Sequence, residues 1–185
     1  MFALLFSLSF SLLNAQIYQS LFENKADEPN SKDVNSADIL KINSYGLYEK
    51  TGSIEKNFYG GYDIYESNSY GLETKSGSVR KNQFGEYDVY QTTSYGFETK
   101  TGSLRKNNLG GYDTYEKSDF GLEIKTASTS SSYYNSDVLD IYQNNSYGFP
   151  VKTGSIEKST NEINIYKNNS YGLPEKKTVI KPKTW

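Results

Sequence analysis

Short runs of β-branched and aromatic residues alternate along the chain with breaks marked by glycine. Tyr87 to Tyr95 is one run, Gly96 follows it, Glu98 to Lys106 is a second run, and Gly110-Gly111 closes the unit. This succession predicts strand, turn, strand, turn, with glycine supplying the positive φ that a tight reversal needs. Beyond Ala15 no stretch carries a 3.6-residue apolar period long enough for a helix. Tyr45-Gly46, Tyr70-Gly71, Tyr95-Gly96, Phe120-Gly121, Tyr147-Gly148 and Tyr171-Gly172 recur at intervals of 25, 25, 25, 27 and 24 residues, so six copies of one unit follow each other. Gly46, Gly71, Gly96, Gly121, Gly148 and Gly172 are the predicted turn residues. Sequential hairpins place each strand beside its predecessor, which predicts an all-β antiparallel meander of tandem ~25-residue hairpins.

Two further strings recur in each unit. Asp63-Ile64-Tyr65 returns as Asp88-Val89-Tyr90, Asp113-Thr114-Tyr115, Asp140-Ile141-Tyr142 and Asn164-Ile165-Tyr166, with Asp38-Ile39-Leu40 as a first, variant copy. Lys50-Thr51-Gly52-Ser53 returns from Lys75, Lys100 and Lys152, and as Lys125-Thr126-Ala127-Ser128 in the fourth unit. Counted with a strict period of two, Glu73, Lys75, Gly77, Val79 and Lys81 share one face and Thr74, Ser76, Ser78 and Arg80 the other. Neither face is cleanly apolar. That argues against a sandwich and for a twisted single-layer sheet or open β-solenoid, its Tyr rings covered by Lys and Arg stems. Gly52, Gly77, Gly102 and Gly154 fall in mid-strand, where a neighbouring Tyr ring lying across each would account for them.

Outside the repeat the pattern changes. Met1 to Ala15 holds eleven apolar residues and no charge, which predicts a secretory signal peptide over 1–15, too short to span a bilayer and therefore no transmembrane anchor. Residues 16–37 are polar and predict a flexible leader, and 38–180 form the repeat domain with a Ser- and Tyr-rich insertion at 128–136. The last strand lacks its glycine. With the basic tail 181–185 behind it, it predicts a capping strand whose Lys181, Pro182 and Lys183 protect a free sheet edge. The expected localisation is secreted or cell-envelope.

Composition narrows the chemistry. There is no His and no Cys, which removes imidazole and thiolate metal sites, disulfides and Ser-His or Cys-His catalysis. A net charge of −2 argues against nucleic acid or an anionic membrane as partner. After residue 15 only 32 of 170 residues are Ile, Val, Leu or Phe, so 18 Tyr must supply much of the buried surface.

Lys50-Thr51-Gly52-Ser53 and the abutting Ser53-Ile54-Glu55-Lys56 imitate the Lys-Thr-Gly and Ser-x-x-Lys strings of serine acyl-transferases. In those enzymes the two strings lie on separate elements that converge, whereas here they share one strand and recur in several units. The structural reading, exposed strand, is preferred, and no catalytic residue, metal or cofactor is expected. Asp63, Asp88, Asp113 and Asp140 lack the dense oxygen loop that Ca²⁺ requires and are expected to bond nearby turn amides.

The string Tyr95-Gly96-Phe97-Glu98-Thr99-Lys100-Thr101-Gly102-Ser103-Leu104, followed by Tyr112-Asp113, resembles the bacterial Trp-Gly hairpin repeat, with Tyr or Phe in place of Trp. The resemblance implies a non-enzymatic β-repeat protein of the cell envelope. Together these features predict a non-catalytic structural or adhesive surface whose partner is an envelope polymer, a glycan or a protein. Tyr65, Tyr90, Tyr115, Tyr142 and Tyr166 are the candidate contacts. The alternative is a carbohydrate-binding module that stacks exposed Tyr faces on sugar rings.

Overall fold

The computed structural model describes residues 35–135 and 137–183. They form twelve antiparallel strands: β1 (Ser36–Ile42), β2 (Tyr48–Lys56), β3 (Tyr62–Ser67), β4 (Glu73–Lys81), β5 (Tyr87–Thr92), β6 (Glu98–Lys106), β7 (Tyr112–Lys117), β8 (Glu123–Ser131), β9 (Val138–Asn144), β10 (Pro150–Lys158), β11 (Ile163–Asn168) and β12 (Pro174–Pro182). No helix occurs among the described residues. Segment 1–15 and the leader up to residue 34 lie outside them. Ser36 and Ala37, expected in the leader, already belong to β1, and β8 runs through Ser128–Ser131, so the insertion loop starts only after Ser131.

Six short strands alternate with six longer ones, and one turn design recurs six times at one end of the barrel. In the first, the N–H of Gly46 donates to the carbonyl of Asn43 and Asn43 N–H to the carbonyl of Leu47, while Gly46 takes φ +77°. This is a tight turn closed by a left-handed residue, a conformation without strain only for glycine. The Asn43 Oδ1 accepts the N–H groups of both Tyr45 and Leu47 at 3.0 Å, fixing the loop from within. Asn68, Asn145 and Asn169 repeat the arrangement, and Thr93 and Ser118 replace it with a single hydroxyl bond.

The meander does not stay open: β12 pairs with β1 and the sheet closes into a barrel. The open-sheet and solenoid expectation is corrected here, and so is the capping strand, since β12 has a partner on each side. At the seam Thr178 stands opposite Lys41, the same junction as Gly52 opposite Glu66, Gly77 opposite Gln91, Gly102 opposite Glu116, Ala127 opposite Gln143 and Gly154 opposite Lys167. Six equivalent junctions thus make a ring of six equivalent units. Lys183 N–H donates to the carbonyl of Ser36, so the next pair, Ala37 with Pro182, is a non-hydrogen-bonded one. Pro182 loses no ladder bond there, and its role is pairing, not blocking an edge.

Bulges explain the closure. Where Ile39 faces Gly52, Leu40 faces Lys50, leaving Thr51 unpaired, and the same shift recurs at Ser76, Thr101, Thr126, Thr153 and Lys177. A bulge bends its strand and adds twist, and one in every second strand coils the sheet upon itself. It also exchanges faces. In β4 the extra residue puts Glu73 and Lys75 on the same side as Ser78 and Arg80, and leaves Gly77 and Val79 on the other. Strict alternation mixed these sets; the real strand has a polar and an apolar face.

The apolar face lines the barrel. One residue from each strand, Ile39, Ile54, Ile64, Val79, Val89, Leu104, Thr114, Thr129, Ile141, Ile156, Ile165 and Ile180, forms a level at which no member exceeds 5% exposure. Tyr62, Tyr87, Tyr112 and Ile163 extend it toward one end of the barrel. Toward the other end the same face turns polar, with Lys41, Glu66, Gln91, Glu116, Gln143 and Lys167 following the aliphatic level. The mid-strand glycines belong to this half. A Cβ on Gly52, Gly77 or Gly154 would strike the carbonyl oxygen of Tyr65, Tyr90 or Tyr166 on the next strand, so the close neighbour of these glycines is backbone and not a Tyr ring.

Candidate functional site

The Lys-Thr-Gly-Ser string resolves into four structural roles. Lys50 Nζ bridges Asp38 of β1 at 2.8 Å and Glu73 of β4 at 3.1 Å. Thr51 is the bulge, Gly52 admits the neighbouring backbone, and Ser53 Oγ donates to Glu73 Oε2 at 2.9 Å. The next units repeat the linkage: Lys75 joins Asp63 to Glu98 and Ser78 donates to Glu98, while Lys100 joins Asp88 to Glu123 and Ser103 donates to Glu123. Arg80 and Arg105 complete the girdle by ion-pairing with Glu98 and Glu123.

Ser53 is 0% exposed. The expectation of an exposed strand is therefore wrong at this position: its hydroxyl is enclosed and committed to a carboxylate. Burial opposes the charge of Glu73, but hydrogen bonds from Lys50 and Ser53 outweigh it and hold the carboxyl below its ordinary value. Lys50 is held above its ordinary value, mainly by its bond to Asp38. The repeated acids are likewise engaged. Asp63, Asp88, Asp113 and Asp140 each meet a Lys within 3.0 Å, and the first three accept from the side-chain amides of the turn residues Asn57, Asn82 and Asn107. Among the described residues, no three His, Cys, Asp or Glu side chains gather into a metal cluster.

The candidate tyrosines do form a row. Tyr65, Tyr90, Tyr115, Tyr142 and Tyr166 sit on the polar face, one per unit, each between a Ser of the preceding strand and a Lys of the next. All five are half-buried. Arg80 lies over the Tyr90 ring at 4.6 Å and Arg105 over Tyr115 at 4.3 Å, and Tyr166 donates its hydroxyl to Glu157 at 2.9 Å. Burial, with the charge of Asp63, pushes the Tyr65 phenol up. The row is built into the girdle.

A different set of aromatics stands free. The six aromatic-glycine turns join odd to even strands, so all six project from the same end of the barrel. Tyr45, Tyr70, Tyr95, Phe120, Tyr147 and Tyr171 are 84–91% exposed there, and Leu47, Leu72, Phe97, Leu122, Phe149 and Leu173 are 61–73% exposed beside them. Each aromatic side chain precedes the left-handed glycine of its turn. Of the thirty residues in these six five-residue tips, Asp119 alone is charged.

The opposite end is less regular. Its turns carry Tyr59, Phe84 and Leu109 at the equivalent position, but Gly61, Glu86 and Gly111 where the first end has Leu or Phe. The sequence marks the tip aromatics plainly through the repeated aromatic-Gly pair. Sequence reasoning named only the glycines of these pairs, as turn residues, and ended a strand run on Tyr95; in the structure the glycine and the Asn make the turn and the aromatic ring stands exposed on it. Comparison with protein-family models, curated proteins and solved structures found no match to this chain.

Proposed function

We propose that this protein is a non-catalytic interaction barrel of the cell surface or extracellular space that engages its partner through the aromatic-glycine end. The observation that carries the reading is the concentration of twelve exposed apolar side chains on one rim of a barrel whose polar face is saturated with ion pairs. Solitary exposed apolar residues need no explanation, but a repeated set of this kind marks a contact surface. At about 150–250 Å² for each aromatic side chain, the six rings alone present on the order of 1,000 Å², comparable to one side of a stable interface. A second reading, a glycan held in the mouth of the same end, is favoured by the polar inner residues Lys41, Glu66, Gln91, Glu116, Gln143 and Lys167 directly behind the tips.

The test compares two variants in binding to isolated cell-envelope fractions and to a glycan panel. Replacing Tyr45, Tyr95 and Tyr147 together by Ser leaves the fold intact and abolishes binding. Tyr90→Ala lowers the melting temperature, because its ring carries Arg80, and leaves binding unchanged. Retention of binding by the triple variant overturns the reading.

A further inference from the structure

Resting on the rim as the contact surface, we propose that its partner is the interfacial region of an uncharged lipid bilayer, into which the six tips insert side by side. Four observations point there. The tips lie at one level, since the six hairpins and the six junctions between them share one register. Each tip pairs an amphipathic ring, Tyr in five of six, with an aliphatic or Phe side chain behind it. That is the composition suited to the boundary between headgroups and acyl chains, where a tyrosine keeps its hydroxyl wet and its ring apolar.

Three carboxylates that directly follow the tips are turned away and neutralised. Glu73, Glu98 and Glu123 directly follow Leu72, Phe97 and Leu122, yet each folds back along the polar face. Glu73 meets Lys50 and Ser53, Glu98 meets Lys75 and Arg80, and Glu123 meets Lys100 and Arg105. Insertion of the tips therefore strips none of these three glutamates of water as a free charge, and Asp119, beside Phe120, is the one carboxylate within the tips. The ionic girdle begins roughly 10 Å behind the rim at ~3.3 Å per residue, which limits penetration to about the depth that interfacial proteins reach.

Geometry separates a bilayer from a protein partner. At 84–91% exposure each tip ring is surrounded by solvent and not by its neighbours, so the rim is six separate fingers and not one continuous patch. A folded partner, or a second copy facing it rim to rim, would need six matched pockets set in a ring. A fluid interface closes around each finger without any such match. The polar face excludes the other membrane mode, since a strand with Asp, Lys, Ser and Arg on its outer side cannot face acyl chains.

The experiment uses the full chain and phosphatidylcholine vesicles, with binding followed by flotation at low and high salt. Wild type is expected to float with vesicles at both salt levels. The Tyr45→Ser, Tyr95→Ser, Tyr147→Ser triple variant is expected to bind about tenfold more weakly or worse, and Phe58→Ser with Phe84→Ser at the opposite end to bind as wild type. Residues 1–34 are common to all, so differences report the rim. In a Trp185→Phe background, Tyr95→Trp fluorescence is expected to be quenched by lipids brominated on their acyl chains, and Phe84→Trp fluorescence is not. Equal binding by wild type and the triple variant, binding lost at high salt, or equal quenching of both probes overturns the proposal. If wild type ignores vesicles while the triple variant loses envelope binding, the lipid assignment falls and the rim reading stands; if the triple variant keeps envelope binding, the rim reading falls with it.

Discussion

Ser53, Ser78 and Ser103 lie on the polar face, each buried and each donating to a glutamate twenty residues further on. Removing such a donor leaves the carboxylate with its lysine but one bond short. Ser53→Ala is therefore expected to lower stability by about 0.5–1.5 kcal/mol, read as a drop in midpoint in urea. The carboxylates set the response to acid. Glu73 has a depressed folded-state pKa, so its contribution is complete above the ordinary value of 4.5 and is lost as pH falls through the lower folded value. Glu116 has the opposite sign. Burial on the apolar face raises it against a hydrogen bond from Thr126, so its charge opposes folding at neutral pH. Gln91 and Gln143 occupy the equivalent position in two other units. Glu116→Gln is accordingly expected to raise the melting temperature at pH 7, with the gain shrinking in acid; a loss at neutral pH would contradict this assignment.

At the scale of the element, strand positions were legible and strand faces were not. The runs from Tyr87 and from Glu98 to Lys106 are β5 and β6, with β5 ending at Thr92 because Thr93 begins the turn. Counting by twos then failed at one residue per unit, the bulged Ser76 and its equivalents, and a single extra residue is enough to exchange every side chain beyond it. No residue type announces it, since Thr, Ser and Lys all occupy the site. Deleting Thr101 should move Glu98 and Lys100 onto the barrel lining and break the pairs of Glu98 with Ser78 and Arg80 and of Lys100 with Asp88 and Glu123. A loss well above that of Ser53→Ala, by circular dichroism on heating, is the expected outcome; near-neutral behaviour would mean that the bulge does not sort the faces. The row from Tyr65 to Tyr166 follows from the repeat itself, one ring per unit at the same register. Its half-burial depends on Arg80, Arg105 and the bend of the strands, which no local pattern encodes.

The whole molecule turns on closure, and closure is a sum of small bends that only appears once all six units are counted together. The sequence showed six equivalent hairpins but offered no sign that the first and last were neighbours, since β1 and β12 are the two most divergent copies. Yet their pairing repeats the register of the other five junctions, and the rim of six level tips exists only because of it. The absence of native cysteine makes the seam directly measurable. Ala37 and Pro182 are a directly opposed, non-hydrogen-bonded pair, the geometry in which a disulfide fits across antiparallel strands. In Ala37→Cys, Pro182→Cys protein oxidised at low concentration, the closed barrel predicts a monomeric, intramolecular disulfide by mass spectrometry and a raised melting temperature. An open sheet would hold β1 and β12 roughly 50 Å apart at ~4.8 Å per strand, and would give only free thiols or intermolecular dimers.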